Sequence, residues 1–319
     1  MTSTLFRGLA LTTTMAVYLL LILGGVVSGT GSGLACPDWP LCHGMLIPPL
    51  EGPILIEWTH RLVAMLVSLL VVATAITAWT KERHRAPIAQ LAGIALLLVL
   101  SQALLGGLTV IFKLSTAIAV AHLALGMALF AVMVWLSAET VRNVASLQVN
   151  QLRHAHLPTC KLANYSLWTT LAMYAQVVLG AWVRHSGAAL ACPDVPLCQG
   201  QLLPSTESTV LIHLAHRLMA LIVAVLVIWL AVRALRSPAV SSHIVTHAIT
   251  ALGLVGLQIG LGVFTVLSRV SVHVATTHLA VGAALLGVLV VLSVRLRLEG
   301  GMGRASTAHT ADRQEEAMV

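Results

Sequence analysis

Four histidines carry the first chemical signal in this chain of 319 residues. His60, His122, His216 and His278 each stand one or two turns inside an apolar run. An ionisable side chain at that depth is costly and marks a functional position by default. A neutral imidazole bonded to a neighbouring helix would explain one such residue. It explains poorly four that recur as two pairs. Paired imidazoles with no thiolate or carboxylate ligand suit a b-type haem lying between helices. Zinc would want further ligands, and none stands close enough in sequence to nominate. Copper stays open as an alternative, although the ten methionines form no local cluster.

Other reactive side chains flank these four. Arg61 and Arg217 directly follow His60 and His216. Each guanidinium has two roles open to it: pairing with a haem propionate, or snorkelling towards the interface. Lys113, Arg184 and Arg269 lie on the same outer side and are candidates to share the propionate task. Glu57 precedes His60 by three residues and so shares its helix face. The matching position later in the chain holds His213. Such a difference beside the metal suggests divided labour, with one site reacting and the other carrying electrons. Glu57 is then either a proton-moving group or an acid stabilised by a helix N-terminus. Cys36/Cys42 and Cys192/Cys198 each bracket five residues. On an oxidising outer face each pair closes as a local disulfide. The second pair reads as a loop staple, and the first is open to a redox role as well.

The elements that must hold these residues are membrane helices. The chain is 58% hydrophobic and 9% charged, against about 25% charged in a soluble globular protein. A soluble enzyme, a disordered chain and a coiled coil are excluded. Eight apolar runs reach the ~20 residues needed to cross a bilayer, near 8–27, 56–79, 88–111, 117–139, 163–183, 209–232, 244–267 and 272–294. Basic residues exceed acidic ones, 18 against 11, and in such a chain the excess reports topology before partners. Nucleic acid is an unsupported partner. Thirteen of the basic residues fall on the side of the termini and five on the other, so both termini are expected in the cytoplasm. The first span exceeds the h-region of a cleaved signal, and no Arg/Ser-rich transit segment precedes it. A bacterial inner-membrane protein is therefore expected. Trp39, Trp58, Trp79 and Trp182 lie near membrane boundaries and read as interface anchors.

One unit is written twice. Gly33-Leu34-Ala35-Cys36-Pro37-Asp38-Trp39-Pro40-Leu41-Cys42 matches Ala189-Leu190-Ala191-Cys192-Pro193-Asp194-Val195-Pro196-Leu197-Cys198 at an offset of 156. The same offset carries His60-Arg61 to His216-Arg217, Gln102 to Gln258, Gly106 to Gly262, and His122 to His278. A register this long means duplication. Each copy has an even number of spans, so the copies enter the membrane in the same direction about an axis along its normal. The expected fold is all-α: eight transmembrane helices in two pseudo-symmetric four-helix bundles. The units run 1–140 and 163–295, joined by a cytoplasmic linker over 141–162 and followed by a polar cytoplasmic tail over 296–319.

Glu57-Trp58-Thr59-His60-Arg61, the two Cys-Pro-Asp-x-Pro-Leu-Cys loops and the four spaced histidines together resemble the haem A synthase family. The likeness extends from about residue 20 to residue 290. It implies an eight-helix membrane oxidoreductase that converts haem O to haem A, oxidising a porphyrin methyl to a formyl group through an alcohol. It implies His60 and His122 as ligands of the substrate haem, and His216 and His278 as ligands of a resident haem b. Glu57 would be the residue on which oxidation depends. The first cysteine pair would serve activity or haem handling, and the second structure. The family often carries a basic residue where this chain has Ser28, whereas the second copy keeps Arg184 there. Terminal oxidases would receive the product, and the enzyme that makes haem O is a candidate partner, as is a second copy of the chain. Two rivals remain at this stage: a bis-haem b-type electron carrier of the quinol or disulfide oxidoreductase kind, and a transporter.

Overall fold

A computed structural model describes residues 2–141, 156–201, 206–238 and 240–316, with helix path only for 156–160 and 300–316. The described residues hold eight α-helices: α1 (Thr4–Thr30), α2 (Gly52–Lys81), α3 (Ala86–Ile111), α4 (Thr116–Thr140), α5 (His156–His185), α6 (Ser208–Arg236), α7 (Ser242–Leu267) and α8 (Val272–Glu316). All eight are long and apolar enough to cross a membrane, as hydropathy predicts. No strand forms among the described residues, only single bridges at Cys42–Met45 and Cys198–Gln201. The polypeptide is an all-α polytopic membrane protein.

Local chemistry sets the helix ends. Ser3 caps α1, its hydroxyl accepting from the Phe6 amide at 3.2 Å. Gly31 ends α1 at φ 71°, the left-handed conformation that glycine adopts without a side-chain clash. Pro53 and Pro87 enter the first turns of α2 and α3, where a missing amide costs no helix bond. The turns from α3 to α4 and from α7 to α8 match each other. Lys113 and Leu114 have φ 49° and 59°, and Arg269 and Val270 have φ 53° and 62°. The amides of Leu114 and Val270 donate to Thr109 and Thr265 carbonyls, both at 2.8 Å.

Within each half the helices form a ring, α1–α2–α3–α4 and α5–α6–α7–α8. The halves meet where α8 packs on α1 and α4, and where α4 packs on α5. Leu285, Leu286, Leu289 and Leu292 of α8 are fully buried in this central layer. Gly287 lets the ring of Phe130 on α4 come close: a Cβ there would sit 3.3 Å from it. Hydroxyls tie the first and last helix of each ring, Thr14 to Ser137 at 2.8 Å and Thr170 to Ser293 at 3.0 Å. Tyrosines tie one half to the other. Tyr18 Oη donates to the Ala280 carbonyl at 3.1 Å, and Tyr174 Oη to the Ala124 carbonyl at 2.9 Å. Both bonds have the same repeat register, so the interface is self-complementary.

Two segments differ from the sequence expectation. α5 begins at His156, inside the expected linker, and residues 142–155 lie outside those described. α8 continues to Glu316, through the expected polar tail. Hydropathy locates the part of a helix that sits in hydrocarbon, and says nothing of how far the helix continues into water.

Candidate functional site

The four histidines sit on α2, α4, α6 and α8, near the helix ends that bear the cysteine loops. α2 and α4 stand across the first ring from each other, as α6 and α8 do in the second. His60 and His122 are close enough to interact electrostatically, and so are His216 and His278. The expected pairs are therefore brought together.

Each imidazole lies against a glycine of the preceding helix. A Cβ on Gly24 would fall 3.3 Å from His60 Cε1; on Gly106, 3.6 Å from His122; on Gly180, 3.0 Å from His216; on Gly262, 3.2 Å from His278. The glycines let the neighbouring backbone reach the ring edge. Sequence reasoning did not assign them a place at the site, although Gly24 and Gly180 share the 156-residue offset that already links Gly106 to Gly262. All four Nδ1 atoms are buried without a hydrogen-bond partner. Such rings are unusual, since buried polar atoms are normally satisfied. Two imidazoles per half are a donor set that would suit a haem iron. No cluster of three or more His, Cys, Asp or Glu suited to a bare metal ion occurs among the described residues.

The two pairs differ in their polar neighbours. Gln176 Nε2 donates to the His216 carbonyl at 3.1 Å and lies 3.4 Å from its Nε2. Gln258 Nε2 lies 3.3 Å from His278 Nε2. In the first half Gln102 Nε2 donates to the His122 carbonyl at 2.8 Å, and the counterpart of Gln176 is Leu20. The rings of His60 and His122 make no hydrogen bond among the described residues.

Above each pair lies a disulfide loop, Cys36–Cys42 and Cys192–Cys198. An aspartate folds each loop on itself. Asp38 accepts from the His43 and Gly44 amides at 2.6 and 2.7 Å. Asp194 accepts from the Gln199 and Gly200 amides, both at 2.7 Å. These amides hold both carboxyls below the ordinary carboxylate range.

Arg61 and Arg217 have a task that spacing did not suggest. Arg61 donates to the carbonyls of Asp38, Leu41 and Cys36 at 2.7, 2.8 and 2.9 Å. Arg217 donates to those of Leu197, Cys192 and Asp194 at 2.8, 2.9 and 2.9 Å. With these donors they carry the loops. Arg184 donates to the Ser28 carbonyl at 2.8 Å and so bridges the halves. Lys113 and Arg269 are exposed, and neither side chain makes a hydrogen bond among the described residues.

Glu57 is 4% exposed. Its Oε1 pairs with Arg61 at 2.5 Å, and its Oε2 accepts from the Cys36 amide at 2.8 Å. His213, equally buried, meets the Ala188 carbonyl through Nδ1 at 2.9 Å. A carboxylate can only accept and this imidazole nitrogen donates, so the loops attach to α2 and α6 in different ways. Trp39, read as an interface anchor, lays its ring on α3: a Cβ on Gly107 would lie 3.0 Å from it.

Residues 7–290 match the model of the COX15-CtaA family, described as cytochrome oxidase assembly protein. The chain belongs to that family. This COX15-CtaA protein is 31% identical to the Heme A synthase of Bacillus licheniformis, over 89% of its own length and 93% of the relative. It is 33% identical to the Heme A synthase of Shouchella clausii, with 88% and 91% covered. It is 31% identical to that of Geobacillus kaustophilus, with 89% and 90% covered. The match takes in the four histidines, Glu57 and both cysteine loops.

Proposed function

We propose that this protein is a haem A synthase, a membrane oxidoreductase that oxidises one methyl group of haem O to a formyl group by way of a hydroxymethyl intermediate. The curated relatives bear that name. The observation that carries the division of roles is a carboxylate beside one histidine pair and an imidazole at the equivalent place beside the other.

In this reading His60 and His122 hold the iron of haem O, their nitrogens free of hydrogen bonds. His216 and His278 hold a haem b. Bound there, haem b supplies a one-electron relay for the electrons that leave the substrate. Glu57 is the catalytic residue, placed three residues from His60 to receive a proton as the methyl carbon is oxidised. Arg61 positions Glu57 and the Cys36–Cys42 loop together, so the loop covers the site while the carboxylate keeps its aim. Gly24 and Gly106 fix the rings of the substrate ligands. Arg61, Arg217 and Arg184 spend donors on carbonyls, and among the described residues Lys113 and Arg269 add outer cations whose side chains make no hydrogen bond and can meet propionates. Both termini lie in the cytoplasm, and the loops face the oxidising side of a bacterial inner membrane. Haem O synthase is a fitting partner, because a substrate with a long apolar tail is poorly released into water.

The test is to incubate purified protein with haem O, extract the porphyrins and weigh them. Hydroxymethyl and formyl products are expected. Haem b bound but haem O returned unchanged would favour a bis-haem electron carrier, and a colourless preparation would sink both readings.

A further inference from the structure

The halves meet on the outer side at two grooves that are equivalent by repeat, but their walls differ. Between α1 and α8 lies a cleft of about 440 Å³, whose walls include Val26 of α1 and His273, Thr276, Thr277 and Ala280 of α8. The same repeat positions on α5 and α4 hold Trp182 for Val26, Ala117 for His273, Val120 for Thr276 and Ala121 for Thr277. At these four positions one groove has a small side chain where the other has an indole, and an imidazole and two hydroxyls where the other has hydrocarbon. Val272 is matched in the opposite sense by Thr116, whose hydroxyl is spent on the His185 carbonyl at 3.0 Å. Polar groups in an apolar groove are costly unless something binds them. Thr277 Oγ1 is satisfied by the His273 carbonyl at 2.8 Å. Thr276 Oγ1 is buried and has no partner. His273 is exposed.

A flat apolar ring with carbonyl acceptors fits such walls, and a membrane supplies it on an isoprenoid tail. We propose that the cleft between α1 and α8 binds the head group of a lipid-soluble quinone, with Thr276 donating to a ring carbonyl and His273 handling protons at the rim. The redox role rests on the function proposed above. Thr277 and Ala280 flank His278 in sequence, so the cleft adjoins the helix turn that would hold haem b. Each two-electron oxidation of the substrate would deliver its electrons singly by way of the haem b site. The quinone takes the two electrons with two protons from the outer side, and both C=O groups become C–OH. The quinone is the oxidant, and the electrons are those removed from the substrate.

Full-length protein in nanodiscs is titrated with decylubiquinone by calorimetry. Saturable binding is expected, weakened about tenfold or more (~1.4 kcal/mol) by Val26→Trp and by Thr276→Val. Trp182→Val, in the matching groove, is expected to leave it unchanged. In stopped flow without oxygen, decylubiquinone should reoxidise the reduced haem, more slowly in the same two variants. No saturable binding, full affinity in Val26→Trp, or displacement by farnesol as effective as by quinone would overturn the proposal. Calorimetry reads the cleft with or without catalysis. Intact, Val26-dependent binding in a protein that makes no haem A would support the cleft and count against the enzymatic reading alone.

Discussion

In the first half the Cys36–Cys42 loop rests on Arg61, and Arg61 also grips Glu57, whose second oxygen accepts the Cys36 amide. In the second half Arg217 carries the Cys192–Cys198 loop without a carboxylate, and His213 turns instead to the Ala188 carbonyl. The loop, the arginine, the aspartate and the glycine behind each histidine are common to both halves. What changes is one side chain between the loop and the histidine. A duplicated scaffold keeps the parts that hold iron ligands in place and varies the group beside them. The rings themselves follow the same rule: amides of Gln176 and Gln258 approach His216 and His278, while the rings of the first half make no hydrogen bond among the described residues.

The sharpest way to break this contrast is to exchange its key residue. Glu57→Gln should lower haem A formation by roughly a hundredfold or more with the haem b spectrum kept, and His213→Gln should change it far less. Equal losses, read by mass of extracted porphyrin, would mean the halves are not divided as argued. The arginines come next. Arg61→Gln leaves the buried Glu57 without its charge partner, a cost of about 3 kcal/mol, and breaks three carbonyl bonds; Arg217→Gln breaks carbonyl bonds alone. Thermal unfolding in detergent should show the larger drop in Tm for Arg61→Gln, and a larger drop for Arg217→Gln would refute the ion pair's role.

A smaller effect separates the glycines. Gly180→Ala puts a methyl 3.0 Å from His216 Cε1, whereas Gly106→Ala puts one 3.6 Å from His122 Cε1, ordinary contact. Overpacking costs about 1–3 kcal/mol, so Gly180→Ala should weaken haem b binding in a pyridine-haemochrome titration and Gly106→Ala should hardly affect stability. Smallest is the pH response of the loops. Asp38 and Asp194 have carboxyls lowered below the ordinary value of 3.8 by backbone amides. Their contribution is complete above that value and is lost as pH falls through the lower folded one. Loop proteolysis should rise below pH 3.8, and the Asp38→Asn/Asp194→Asn variant should show that susceptibility already at neutral pH.

Much of this architecture was legible from residue types. Apolar runs located the spans because transfer into hydrocarbon is nearly a property of composition. The 156-residue register paired the histidines and exposed the Glu57–His213 difference before any coordinates. The donors of Arg61 were not legible: a long side chain can turn outward or back over a loop, and only the folded loop offers it three carbonyls. Nor were the glycine contacts, because a glycine in an apolar helix looks the same whether it meets lipid or an imidazole. The cleft beside α8 was out of reach for another reason: it depends on which of two equivalent grooves holds the indole.

The reciprocal tyrosine bonds, Tyr18 to Ala280 and Tyr174 to Ala124, are those that two identical subunits make across a twofold axis. A single four-span ancestor able to pair with itself would already have owned this seam. Fusion of its gene with a copy would then have required no new contact, and would have released each subunit to specialise without corrupting the other.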